Sequence, residues 1–99
     1  MIKILMSWDI HPGKEEAYMD FITKEFAPTM TELGIQPTEA WYTVIGNGPQ
    51  MLSGGVAEDQ KTMSKILESK KWQELEEKLL TYVTNYRYKI IPATGGFQL

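Results

Sequence analysis

The sequence contains no cysteine and only one histidine. The lack of cysteine excludes a disulfide framework and thiolate-based metal or redox chemistry, and it agrees with a cytoplasmic location, which we expect. A single histidine leaves carboxylates as the remaining strong metal ligands. We therefore expect no metal site and no cofactor.

Long apolar runs and basic clusters are also missing. No segment approaches the roughly 18 consecutive apolar residues that a membrane-spanning helix requires, so no membrane association is expected. The formal net charge is −3 at pH 7 and the cationic residues are scattered, which argues against nucleic acid as a partner. The length of 99 residues predicts a single domain over residues 1–99.

Four segments have the composition of β-strands. The first alternates between apolar and polar residues, and the second is rich in aromatic and β-branched residues. Gly46-Asn47-Gly48-Pro49 has turn chemistry and predicts a hairpin between the second and third strands. Gly54 and Gly55 within the third strand predict a bulge or a close approach by another group. The predicted strands cover residues 2–10, 39–45, 50–57 and 86–91.

The first helical pattern opens at Lys14 and carries carboxylates in its first turn, where the helix dipole favours them. Pro28 lies inside the apolar stripe, so we expect a kink or an early end near Phe26. Gly34 is a plausible C-terminal stop.

The second helical stretch changes phase halfway. Its first apolar residues are Met63, Ile66 and Leu67, and the later ones are Trp72, Leu75, Leu79 and Val83. A straight helix would place these two sets on nearly opposite sides, so the pattern predicts two helices that meet near Ser69. Asp59 and Ser69 are suitable N-caps, and Asn85 is a tolerable end for the second of these helices.

The order β-α-β-β-α-β predicts an α+β, ferredoxin-like fold with a four-stranded antiparallel sheet. Right-handed crossovers put both helical regions on one face of that sheet. In the first strand the other face would show Lys3, Leu5, Ser7 and Asp9. Because bulky residues also occur on the uncovered side, we expect a second copy of the chain to pack against it.

Two short patterns resemble a known superfamily. They are Gly13-Lys14-Glu15 after the first strand and Ser69-x-x-Trp72-x-x-Leu75, followed by Leu79, Val83 and Tyr86. This arrangement resembles the dimeric α+β barrel superfamily, which includes antibiotic-biosynthesis monooxygenase-like, NIPSNAP-like and stress-responsive barrel proteins. The resemblance implies two ferredoxin-like subunits packed sheet to sheet around an interior that can hold a ligand. Its haem-degrading branch uses a histidine on the second helical region, where this sequence has none.

Aromatic residues on the second and last strands are the candidate ligand-binding residues. Trp41, Tyr42, Tyr86 and Tyr88 could form an apolar wall with a few polar contacts, or they could fill the sheet core or the dimer interface. Arg87 shares a strand face with Lys89. These two cations could hold an anionic ligand or could be solvated at the sheet edge.

Ser7, Asp9 and His11 lie at alternate positions of the first strand and would point the same way. A catalytic triad needs the base between the nucleophile and the carboxylate, whereas here the carboxylate is in the middle. Asp9 and His11 remain weak candidates for a catalytic pair, in which the carboxylate would orient the imidazole. The simpler interpretation is a polar strand end that faces water.

Three functions remain open, because this fold hosts many activities. The first is an uncharacterised homodimer that binds a small apolar or aromatic molecule. The second is a cofactor-independent monooxygenase-like enzyme that acts on an aromatic or polyketide-like compound. The third is a structural dimer with a filled barrel. The sequence does not decide whether the protein is an enzyme.

Overall fold

The computed structural model describes residues 1–42 and 50–93, with the backbone alone at positions 41 and 42. The predicted turn at 46–49, the last part of the predicted second strand and the C-terminal tail lie outside the described residues.

The described strands form one antiparallel sheet in the order β2-β3-β1-β4. This order has the first and third strands in the centre and confirms the predicted ferredoxin-like α+β fold. The strands are β1 (Ile2–Ile10), β2 (Gln36–Tyr42), β3 (Met51–Ala57) and β4 (Val83–Pro92).

The helices cover one face of this sheet and bury the apolar side of β1. Ile4, Met6 and Trp8 are almost completely buried, together with Tyr18 from the first helical region and Trp72 from the last. The helices are α1 (Glu15–Phe21), a π turn (Ile22–Phe26), α2 (Ala27–Leu33), α3 (Gln60–Glu68) and α4 (Lys70–Leu79). Among the described residues, no helix is long and apolar enough to span a membrane.

The predicted break at Ser69 is confirmed. The Ser69 hydroxyl donates to the Ile66 carbonyl at 2.6 Å and accepts from the Trp72 backbone N–H at 3.2 Å. It therefore ends α3 and caps α4, which lets Ile66 and Leu75 both reach the core. The predicted cap at Asp59 is also present, since its carboxylate accepts from the Thr62 N–H at 2.8 Å.

Removing the Ser69 hydroxyl should destabilise the fold measurably. We expect Ser69→Ala to lower the free energy of unfolding by about 0.5–2 kcal/mol, because the α4 N-terminus loses its cap. Urea denaturation measures this change. Ser64→Ala, at an exposed position within α3, is the matched control and should change stability by less than about 0.5 kcal/mol. Equal effects of the two substitutions would contradict the capping role.

Of the two outcomes expected near Phe26, a kink or an early end, the early end does not occur, but the helix does depart from regular α geometry there. Residues 15–33 are helical throughout, and the turn before Pro28 widens into a π turn in which the Ala27 N–H bonds the Ile22 carbonyl. A wider turn accommodates the missing donor and the ring of proline without ending the helix. The stop at Gly34 is confirmed, with a φ of 109° that favours glycine.

The start of the last strand also differs from the prediction. β4 begins at Val83, which pairs with Ile10, and α4 ends at Leu79 rather than at Asn85. Asn85 instead lies inside β4 with a φ of 55°, where the pairing with β1 shifts register between Ser7 and Asp9. Asparagine tolerates this backbone conformation, which explains its position at the bulge.

The glycine pair in β3 marks both a bulge and close contacts. The pairing of β2 with β3 shifts between Pro37 and Glu39, and β2 begins earlier than predicted. A Cβ atom at Gly55 would lie 2.6 Å from Ile35 Cγ2, so the helix side has no room for a side chain there. At Gly54 the space is taken by the ion pair between Lys3 and Glu39.

We call the side of the sheet that the helices leave uncovered the open face. The pairing register assigns the following residues to it: Leu5, Ser7, Leu52, Arg87 and Lys89. Lys3 was expected to be exposed there, but its side chain is only 5% exposed. It reaches over the bare backbone of Gly54 to pair with Glu39, because β3 has no side chain at that position to block it.

Candidate functional site: a cleft between the first helix and the sheet

A cleft of about 310 Å³ lies between the first helical region, at its π turn, and strands β2 and β3. Its surface is almost entirely apolar, which is typical of small-molecule sites. The lining residues are Trp8, Tyr18, Ile22, Phe26, Ala27, Met30, Pro37, Thr38, Glu39, Ala40, Met51 and Ser53.

An aromatic cluster forms the inner end of the cleft. The indole N–H of Trp8 donates to the Tyr18 hydroxyl at 2.8 Å, and the Trp8 ring packs edge-on against Tyr18 and Phe26. The three side chains are nearly fully buried. Aromatic rings that contact one another in this geometry form a rigid wall.

Burial raises the pKa of Tyr18 to about 12, although the hydrogen bond from Trp8 acts in the opposite direction. Tyr18 is therefore protonated at neutral pH and is not a general base. Its oxygen accepts from Trp8, and no acceptor for its own O–H occurs among the described residues. This hydroxyl can donate a hydrogen bond to a ligand oxygen in the cleft.

The wall opposite the sheet is built by the π turn. Ile22 and Phe26 are its first and last residues, and Ala27 follows directly. A π turn adds a residue to one helical turn and changes which side chains face the sheet, and such turns occur frequently at functional sites. Small side chains at Ala27, Ala40 and Ser53 leave the space between the two layers unfilled.

Glu39, the one charged residue in the described lining of the cleft, already forms an ion pair. Glu39 contributes to the rim of the cleft, but its carboxylate is paired with Lys3 above Gly54. Ser53 and Thr38 supply the other side-chain hydroxyls near the rim. The cleft thus favours an uncharged ligand, since a buried charge without a partner is strongly unfavourable.

Of the four predicted ligand-binding residues, Tyr88 and Arg87 have described side chains, and their meeting with Trp41 and Tyr42 stays a prediction. The side chains of Trp41 and Tyr42 lie outside the described residues, and in the backbone register they are opposite Leu52 and Met51. Tyr88 pairs with Met6, on the helix-covered side at the sheet edge, whereas Arg87 pairs with Ser7 on the open face. The side chains of these two neighbours therefore point to opposite faces of the sheet.

The carboxylate of Asp9 holds two neighbouring strand segments together by hydrogen bonds. One of its carboxylate oxygens accepts from the Gln50 backbone N–H at 2.8 Å and the other from the Asn85 side chain at 2.9 Å. The hydrogen bond from Asn85, and then that from Gln50, hold the pKa of Asp9 below its usual value. In the part of the chain that the structure describes, no hydrogen bond joins Asp9 to His11. Asp9 therefore secures the β4 bulge, and its role beside His11 stays a prediction.

Sequence reasoning missed the residues that line the cleft. Trp8, Tyr18 and Phe26 follow the apolar periodicity of a core, and nothing in that periodicity distinguishes a filled interior from one with a gap. The available signal was Pro28 within a helical pattern, which marks the place where the helix departs from regular geometry. Within the described ranges, no cluster of histidine and carboxylate side chains could hold a metal ion.

Comparison with known proteins gives structural relatives. No protein-family model matches the chain, and no curated protein matches it in sequence. A protein of Arabidopsis thaliana superimposes with a TM-score of 0.80 at 10% identity, covering 99% of this chain and 100% of its own. A NIPSNAP domain protein from Burkholderia xenovorans gives 0.71 at 12% identity, covering 99% of both chains. A candidate antibiotic biosynthesis monooxygenase from Nitrosomonas europaea gives 0.66 at 10% identity, covering 94% of this chain and 98% of its own.

The chain has the fold of the NIPSNAP and antibiotic biosynthesis monooxygenase-like proteins. This confirms the resemblance that the sequence suggested. At these identities the likeness concerns the fold, and the activity of the chain has to be argued from its own residues.

Proposed function

We propose that the protein is a homodimer that binds a small, largely apolar or aromatic molecule in the cleft between the first helix and the sheet. The observation that supports this proposal is the apolar volume of about 310 Å³ against the Trp8–Tyr18 pair. Small-molecule sites are typically apolar clefts of about 300–1,000 Å³, so an apolar cleft beside an aromatic wall favours a binding role.

The lining favours a planar ligand without a formal charge. The rings of Trp8 and Phe26 supply apolar area and edge contacts, and the Tyr18 hydroxyl supplies one donor. A ketone, ether or phenol oxygen would accept that hydrogen bond. A carboxylate would have to give up its hydration for this single donor, which is unfavourable.

Dimerisation is supported by the open face. Leu52, Val56 and Ile91 are only half-buried there, and no element among the described residues packs over them. A second copy placed face to face would remove this apolar area from water at roughly 25 cal/mol per Å². The same packing would turn the two sheets into the closed barrel that the resemblance implies.

Binding is better supported than oxygenation. A cofactor-independent oxygenase must remove a proton from its substrate, and that step requires a base in the cleft. Tyr18 is protonated, Asp9 is hydrogen-bonded at the bulge and Glu39 is paired with Lys3. The described lining thus offers a hydrogen-bond donor but no available base.

The cleft can be tested with a neutral aromatic probe, 1-naphthalenemethanol. We expect calorimetry to show saturable binding and NMR to show a shift of the Trp8 indole N–H resonance, because Trp8 forms the inner wall. Ser53→Phe should fill the cleft and weaken binding by roughly tenfold or more. Ser64→Phe, on the exposed side of α3, is the control and should bind as the unmodified protein does.

Two results would contradict the binding proposal. One is the absence of saturable binding, and the other is unchanged affinity in Ser53→Phe when its circular dichroism spectrum shows a folded protein. Mass spectrometry of the ligand recovered after incubation in air tests the enzymatic alternative, for which an oxygenated product is the expected outcome.

A further inference from the structure

A second concave surface lies on the opposite side of the sheet from the cleft. It is a groove of about 440 Å³ on the open face, between β4, β1 and β3. Its residues are Leu5, Met6, Ser7, Leu52, Arg87, Tyr88 and Lys89. Leu5 and Leu52 provide an apolar floor, and the ion pair of Lys3 with Glu39 lies over Gly54, the partner of Leu5 in the register.

Two cations stand along one side of this groove. Arg87 and Lys89 are both exposed and occupy alternate positions of β4, so their Cα atoms are separated by roughly 7 Å along the strand. Their partners in the register are Ser7 and Leu5, and neither partner carries a charge. Within the described ranges, neither cation takes part in an ion pair or a side-chain hydrogen bond.

The described residues of the four strands include two carboxylates, and both are already engaged. Glu39 is paired with Lys3, and Asp9 accepts hydrogen bonds from Gln50 and Asn85. In a protein with a net charge of −3, this groove is therefore a local positive site beside an apolar floor. Two cations beside an apolar surface complement a molecule that has an anionic group at one end and an apolar body.

We propose that the groove binds a small organic anion, whose carboxylate lies between Arg87 and Lys89 and whose apolar body covers Leu5 and Leu52. The Ser7 hydroxyl, opposite Arg87, is placed to donate a further hydrogen bond to the carboxylate. Arginine and lysine together supply the charge-assisted hydrogen bonds that hold carboxylates most strongly.

This site is independent of the cleft and is complete in one chain. If the protein forms the homodimer proposed above, the groove becomes part of the barrel interior and the cations of both copies are brought together. The bound anion would then offset their mutual repulsion, so dimerisation and anion binding should favour each other. That last consequence rests on the proposed dimer, whereas the binding site itself does not.

The test compares two ligands of the same shape, 1-naphthoate and the neutral 1-naphthalenemethanol, by calorimetry. The double variant Arg87→Gln, Lys89→Gln should weaken 1-naphthoate binding by roughly tenfold or more, since it loses two charged donors. It should leave the binding of 1-naphthalenemethanol unchanged, because that probe occupies the cleft. The control Lys65→Gln, Lys70→Gln removes the same charge from exposed helical positions and should bind 1-naphthoate normally.

Salt dependence and a purely inorganic anion complete the test. Binding of 1-naphthoate should weaken as sodium chloride is raised, because exposed charges are screened within about 10 Å at 0.1 M salt. Inorganic phosphate should bind much more weakly than 1-naphthoate, since it cannot use the apolar floor.

Equal affinity for 1-naphthoate in the two double variants, or no binding by the unmodified protein, overturns the proposal. A protein that is monomeric but shows the Arg87- and Lys89-dependent binding would refute the dimer and leave this site standing.

Discussion

Replacing Trp8 by Ala is expected to lower the free energy of unfolding by about 3–5 kcal/mol. Trp8 is only 1% exposed, and its ring packs against those of Tyr18, Phe26 and Tyr86. Domains of this size are usually stable by about 5–15 kcal/mol, so the substitution removes a large fraction of the total. Denaturant titration followed by circular dichroism measures the effect.

Trp8→Phe separates the two contributions of this residue. It keeps an aromatic ring in the core but removes the indole N–H that donates to Tyr18. A double-mutant cycle with Tyr18→Phe should give a coupling free energy of about 1 kcal/mol, because the two side chains share one buried hydrogen bond. If Trp8→Ala lowered stability by less than about 1 kcal/mol, the central position of Trp8 would be contradicted.

The elements that depend on local sequence were predicted correctly. β1 follows from the alternation of Ile2 to Ile10, and the break between α3 and α4 follows from the change of phase at Ser69. The caps at Asp59 and Ser69 use side chains that bond their own helix within three residues. Such features require no knowledge of distant contacts, so periodicity and capping rules suffice.

The features that were missed depend on contacts between distant segments. The bulge at Asn85 is stabilised by Asp9, 76 positions earlier, and the beginning of β4 at Val83 follows from its pairing with Ile10. The ion pair of Lys3 with Glu39 needs Gly54 on the strand between them. The alternation of residues along a strand predicts which side chains share a face, but it does not predict how the strand is aligned with its neighbour. These contacts therefore could not be predicted from the sequence pattern.

The candidate site shows the same division. The alternation along the last strand correctly placed Tyr88 and Arg87 on opposite faces of the sheet. The cleft is formed by β2, β3 and a π turn, and its existence depends on how closely the helix layer approaches the sheet. Apolar periodicity identifies the residues between two layers but contains no information on the spacing of those layers.

Introducing a positive charge at the centre of the open face should separate the proposed dimer. Leu52 is half-buried in the single chain and forms part of the floor of the groove that carries Arg87 and Lys89. Leu52→Lys adds a third cation to each copy, and burying like charges against one another costs several kcal/mol. We expect the dimer dissociation constant to rise on the order of a hundredfold or more. Sedimentation velocity across a concentration series measures this change.

The matched control is Met19→Lys, which also replaces an exposed apolar residue by lysine. Met19 is 53% exposed on α1, on the helical side of the molecule, so the dimer constant should stay unchanged. Because both variants gain the same charge, a difference between them reports the location of the interface and not a general effect of net charge. A dimer that survives in Leu52→Lys but dissociates in Met19→Lys would place the interface on the helices. The groove and its cations would then face solvent, and anion binding at Arg87 and Lys89 would no longer be coupled to assembly.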